Sequence, residues 1–118
     1  MSATWPARRV ATFDDIERAG DYFYVRHGEP DSVEGEAASL WFLLPIHEGA
    51  TKFDHPTRGS GIHRIAEPPW TFRECADGSI EARASIACGR HDVDPETGAT
   101  LGEHFHGYLD EGNVWRSC

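Results

Sequence analysis

No stretch of this chain is long and apolar enough to cross a bilayer. The longest apolar run, Leu40-Trp41-Phe42-Leu43-Leu44, is a quarter of the ~20 residues a spanning helix needs. The opening Met1-Ser2-Ala3-Thr4-Trp5-Pro6 lacks the apolar core of a secretory signal, so cytoplasmic residence is expected. Cysteine is scarce and odd in number: Cys75, Cys88 and Cys118. Without an export signal, three thiols argue against a disulfide framework and leave buried thiols or metal ligands. Cations are few as well. Eleven basic side chains face twenty acidic ones, for a formal net charge of −9. That opposes direct binding to nucleic acid, which requires cations to displace the counterions of phosphate. The excess of negative charge has two readings, solubility or an acidic surface that competes with nucleic acid for a basic partner.

Signatures of catalysis are missing too. There is no glycine-rich phosphate loop. Ser60 and Ser85 have no elbow motif around them, and Cys75 has no activating neighbour in sequence. The carboxylate pairs Asp14/Asp15, Asp92/Asp94 and Asp110/Glu111 fall in expected caps and turns, where they serve solvation and turn chemistry. Neither internal repeats nor low-complexity segments are present, and a non-enzymatic role is expected.

What the chain does contain is material for one β-rich domain over residues 1–118. Its 118 residues match the common size of a single core. Thirteen aromatics can fill that core, and twelve Gly with seven Pro imply many turns rather than long helices. Residues 1–11 read as a loose arm. Thr12 followed by Asp15, with Phe13 and Ile16 on one face and Gly20 as the stop, predicts a short helix of about two turns. Strand formers then cluster over 21–27. The run 39–46 is apolar on both faces and predicts a central strand covered on each side, ending at Pro45.

Residues 47–61 and 89–102 read as exposed loops. Between them lie a brief strand at 62–66, another at 70–75, and, after the Asp77-Gly78 turn signal, a strand over 80–88. On that last strand Ile80, Ala82, Ala84, Ile86 and Cys88 alternate with polar residues, as on a sheet with one wet face. The fold class is therefore mainly β with one short N-terminal helix: a compact antiparallel sheet or small sandwich, closed by a C-terminal hairpin.

The closing hairpin is the most explicit pattern. Asp110-Glu111-Gly112 reads as a three-residue turn with Gly112 in a left-handed position. That register sets Gly107 opposite Trp115, so the indole can cover the bare glycine. It also puts His104, His106, Tyr108, Arg116 and Cys118 on one face. A four-residue loop would instead set Tyr108 against Trp115.

Imidazole and thiolate suit Zn²⁺, and Cys88-x-x-His91 followed by His104-x-His106 and Cys118 supplies five candidate ligands. Ordinary packed or solvated residues are the competing reading, because the spacing matches no standard zinc finger. Trp5, ahead of Pro6, is a candidate aromatic anchor for a partner.

The C-terminal half, residues 62–118, resembles an uncharacterised family of small proteins of phages and prophages. Pro69-Trp70-Thr71-Phe72, Ala84-Ser85-Ile86, and His106-Gly107-Tyr108-Leu109 with Gly112 and Trp115 carry the resemblance. Ala84 stands where the family has proline. The resemblance implies a phage setting and a compact β-domain, and it contributes no catalytic residues. Together with the charge it points to a small acidic accessory protein acting by protein–protein contact, as a host-defence inhibitor in the bacterial cytoplasm or as a virion-associated component. The alternative is a zinc-binding domain, with or without hydrolytic activity, built on the Cys and His residues near the hairpin.

Overall fold

The computed structural model describes residues 3–43, 62–88 and 105–117. Among these the chain is mainly β, with nine strands in two sheets. The strands are β1 (Thr4–Pro6), β2 (Arg8–Arg9), β3 (Asp21–Arg26), β4 (Ala38–Leu43), β5 (Ile62–Glu67), β6 (Thr71–Glu74), β7 (Ile80–Cys88), β8 (Phe105–Asp110) and β9 (Val114–Ser117). One sheet has the order β1-β9-β8-β7-β6 and the other β2-β3-β4-β5.

From β3 to β9 the chain is a meander in which strands pair antiparallel with their sequence neighbours. The exception is the step from β5 to β6, where the chain changes sheets through Pro68-Pro69. Proline cannot donate to a ladder, so two in succession end the pairing there. The meander thus folds in half and packs its two inner faces together. Tyr22, Leu40, Phe42 and Ile65 from one sheet meet Ile80, Ala82, Ile86, Phe105, Leu109 and Trp115 from the other. Phe42 and Trp115 touch across the interface at 5.0 Å between ring centroids.

The N-terminal segment closes the opposite side, which corrects the loose arm expected there. β1 runs antiparallel on β9 and β2 runs parallel on β3. Between them, the Ala7 N–H donates to the Asn113 carbonyl at 2.9 Å. Residues 4–9 are therefore a strap joined to one edge of each sheet. Edge strands leave a row of unpaired backbone groups, and a strap that pairs with both removes part of that exposure.

The expected two-turn helix is a single 3-10 turn, Phe13–Asp15. Asp21 explains why it stops. Its carboxylate accepts the N–H groups of Glu17 at 3.0 Å and Arg18 at 2.9 Å, donors that a longer helix would have turned inward. Burial pushes the Asp21 carboxyl upward, but Arg8 at 3.1 and 2.6 Å and the two N–H groups outweigh it and hold it below its usual value. Gly20 keeps the left-handed conformation expected of it, with φ +94°.

β4 lies between β3 and β5, as its apolar faces demanded. On β7, Ile80, Ala82 and Ile86 are buried as expected, whereas Ala84 is exposed. The register shifts between Ala82 and Ile86, so three residues of β7 oppose Tyr108 alone and Ala84 bulges outward.

Candidate functional site

The hairpin places its described residues His106, Tyr108 and Arg116 on the face expected but slides the rungs. Leu109 pairs with Trp115 and Asp110 with Val114, so the loop is Glu111-Gly112-Asn113 rather than Asp110-Glu111-Gly112. Gly112 has φ +88° and Asn113 φ +60°. Asparagine tolerates the left-handed region, and tertiary bonds pull it in: Tyr22 Oη donates to Asn113 Oδ1. Trp115 therefore lies opposite Leu109 in the core and donates its indole N–H to the Gly20 carbonyl at 2.8 Å. Gly107 is needed for another reason. A Cβ there would collide with the Arg116 carbonyl oxygen and press on the Phe105 ring, so it is Phe105 that lies closest over this glycine.

Of the metal-ligand candidates, His91, His104 and Cys118 lie outside the described residues. Cys88 ends β7, its backbone opposite that of Phe105, with its side chain outside the described set. His106 is exposed on the outer face of the five-stranded sheet, its Nε2 3.1 Å from Ser85 Oγ. Among the described residues no three His, Cys, Asp or Glu side chains are grouped to hold a metal ion. The Ser85–His106 contact joins the ladder of this wet face. There Tyr108 is flanked by the guanidinium groups of Arg83 at 4.9 Å and Arg116 at 4.4 Å. Asp110 accepts from both, at 2.8 and 2.7 Å. Burial raises the Asp110 carboxyl, and the two guanidinium groups more than reverse that. Within this cluster both guanidinium groups pair with the Asp110 carboxylate and pack on the Tyr108 ring.

Trp5 is half-buried and meets Phe105 edge-on at 5.9 Å. That contact anchors the strap to the core.

One opening that could receive a ligand lies on the outer face of the four-stranded sheet. Phe23 and Trp41 are direct cross-strand partners there. Phe13, from the 3-10 turn, meets Trp41 at 5.6 Å with the rings 83° apart. Asp31, from the loop between β3 and β4, completes a groove of about 310 Å³ lined by these four residues. Beneath it Val10, Ile16 and Leu43 form a second small core, against which Phe23, Trp41 and Ile62 pack. That core holds the aromatic walls in place.

On the β5 side, the Arg64 guanidinium lies over the Trp41 ring at 5.3 Å and is ion-paired to Glu36. Phe13 is 37% exposed and Val33, in the same loop as Asp31, is 47% exposed, the two most open large apolar side chains among the described residues. The surrounding sequence is acidic. Residues 12–36 carry eight acidic and two basic side chains.

The residue pattern hid this groove because Phe13 pairs with Ile16 on a helical face that does not form. In its place Ile16 is buried at 1% while Phe13 turns outward. The legible signal was Phe23 and Trp41, aromatics on the face of a strand pair opposite to Tyr22, Leu40 and Phe42.

No protein-family model matches the chain, and no curated protein or solved structure is similar to it. Among the described residues no helix is long and apolar enough to cross a membrane.

Proposed function

We propose that this protein is a small acidic binding module of the phage type that its C-terminal half resembles, acting by docking a basic protein partner on the outer face of its four-stranded sheet. The observation that carries this reading is the aromatic groove of Phe13, Phe23 and Trp41 with Asp31 at its side, set in the most acidic stretch of the chain. Interfaces draw their energy from a few aromatic anchors, and charge of one sign around them speeds encounter with the opposite sign. The partner belongs either to the host, in which case the protein interferes with a defence component, or to the virion.

The test compares wild-type protein with Phe13→Ala in capture from host extract and in purified particles. The expected result is a basic protein that binds wild type directly when both are purified, weakens with salt, and is lost with Phe13→Ala at unchanged melting temperature. If no host protein is retained and the chain is absent from particles, the reading falls. It falls equally if the retained partner is indifferent to Phe13.

A further inference from the structure

We infer that the groove of Phe13, Phe23, Trp41 and Asp31 is a receptor for a single guanidinium group, the side chain of an arginine on the basic partner. This rests on the docking reading above and specifies its chemistry. The electron-rich faces of aromatic rings attract cations, and recognition is strongest where several faces meet around one site. Here Phe13 and Trp41 stand nearly perpendicular and Phe23 flanks Trp41 from the next strand, so walls of different orientation border one small space.

Its volume of about 310 Å³ is at the bottom of the roughly 300–1,000 Å³ that ligand pockets span, room for one side chain rather than a cofactor. The sign of the ligand is set by Asp31. Its carboxylate makes no hydrogen bond or ion pair with the described residues. An apolar anchor would strip water from that carboxylate without replacing it, whereas a cation would replace the water.

The choice of guanidinium over ammonium comes from the molecule itself. On the β5 side of the same tryptophan, Arg64 lies over the ring while Glu36 holds its guanidinium. An arginine entering from the Phe13 side would meet the same pair of elements, a ring of Trp41 and the carboxylate of Asp31. A planar guanidinium can stack on a ring and donate in its own plane to a carboxylate at once, which a spherical ammonium cannot.

The experiment uses the full chain and follows the Trp41 indole N–H by two-dimensional NMR, assigned by its loss in Trp41→Phe. The probes are capped tripeptides Gly-X-Gly in which X is arginine, lysine, citrulline or norleucine. Citrulline keeps the shape of arginine without its charge, and norleucine keeps only the apolar stem. Expected is a saturable shift with the arginine peptide at a dissociation constant on the order of 1–10 mM, a value suited to one partly exposed contact.

Lysine should bind at least about threefold more weakly, and the two neutral peptides should give no saturable shift. Asp31→Asn, a surface change that leaves the fold intact, should weaken arginine about fivefold or more. Equal binding of citrulline or norleucine overturns the cation assignment. Equal binding of lysine overturns the guanidinium assignment, and an unshifted Trp41 signal with arginine overturns the site. If these arms fail while a purified basic partner still binds in a Phe13-dependent way, the docking surface stands without the arginine pocket. If Phe13 is irrelevant to the partner while arginine binds as stated, the pocket stands without the proposed docking role.

Discussion

Replacing Tyr22 by phenylalanine removes one oxygen atom and should cost this protein about 2–3 kcal/mol of stability. Tyr22 is fully buried on β3, and burial raises its hydroxyl above the ordinary value. That hydroxyl links the two sheets. It accepts the Ile80 N–H of β7 at 3.1 Å and donates to Asn113 Oδ1 in the β8–β9 loop. The phenylalanine ring would fill the same space, so no cavity term enters. What remains is the cost of stranding two partners.

The Ile80 N–H sits in the interior, and a buried donor left unpaired costs about 1–3 kcal/mol. Asn113 is only half-buried and water can reach it, so its share is the ordinary net value of about 0.5–1 kcal/mol. The two shares together span about 1.5–4 kcal/mol, centred on about 2–3, and with a urea slope of ~1.5 kcal/mol/M that central figure moves the midpoint by roughly 1.3–2 M at unchanged slope. Equilibrium urea unfolding followed by near-ultraviolet circular dichroism reads this directly. Asn113→Gly keeps the left-handed conformation and removes only the amide, so a double-mutant cycle with Tyr22→Phe isolates the Tyr22–Asn113 coupling. A loss below about 0.5 kcal/mol for Tyr22→Phe would show that the inter-sheet bond is replaced by water, and the account of how the sheets are aligned would be wrong.

Three further outcomes are expected. Trp5→Ala should destabilise by about 2 kcal/mol and loosen the strap, seen as faster amide exchange along β1 and β9; unchanged exchange there would mean that Trp5 does not hold it. Gly107→Ala should prevent native packing, because its Cβ has no room beside the Arg116 carbonyl, and a native-like near-ultraviolet spectrum with a loss under about 1 kcal/mol would contradict that geometry. Stability should fall with acid. Asp21 is held below its ordinary value of 3.8 when folded, so the unfolded chain takes up its proton first, and the contribution is present above that value and lost as pH falls through the folded one. Asp21→Asn should be less stable near neutral pH and show a shallower decline on acidification, and a parallel decline in variant and wild type would place the acid sensitivity elsewhere.

Much of the architecture was legible because it rests on local rules. Alternation with period two marked β7, the turn signal marked the hairpin of β8 and β9, and the doubly apolar run marked β4 as central. The faces of the hairpin were legible for the same reason. Sliding its rungs by one residue on each strand leaves side-chain alternation unchanged, so His106, Tyr108 and Arg116 kept their common face although Trp115 changed partners.

Tertiary structure decided whatever depended on which distant groups meet. The turn moved onto Asn113 because Tyr22, ninety-one residues away in sequence, bonds its amide. The helix after Thr12 shrank to one turn because Asp21 takes its backbone donors. The N-terminal arm became a strap because two sheet edges lay open to it, a fact that no window of residues contains. The groove follows from those last two outcomes. With the helix lost, Phe13 turns outward onto Trp41, and only the folded chain brings Phe13, Phe23, Asp31 and Trp41 to one place. Local sequence determined which residues make strands and which face each presents. Long-range hydrogen bonds and burial determined the register, the strap and the candidate binding site, because their energies depend on partners that the chain meets only once folded.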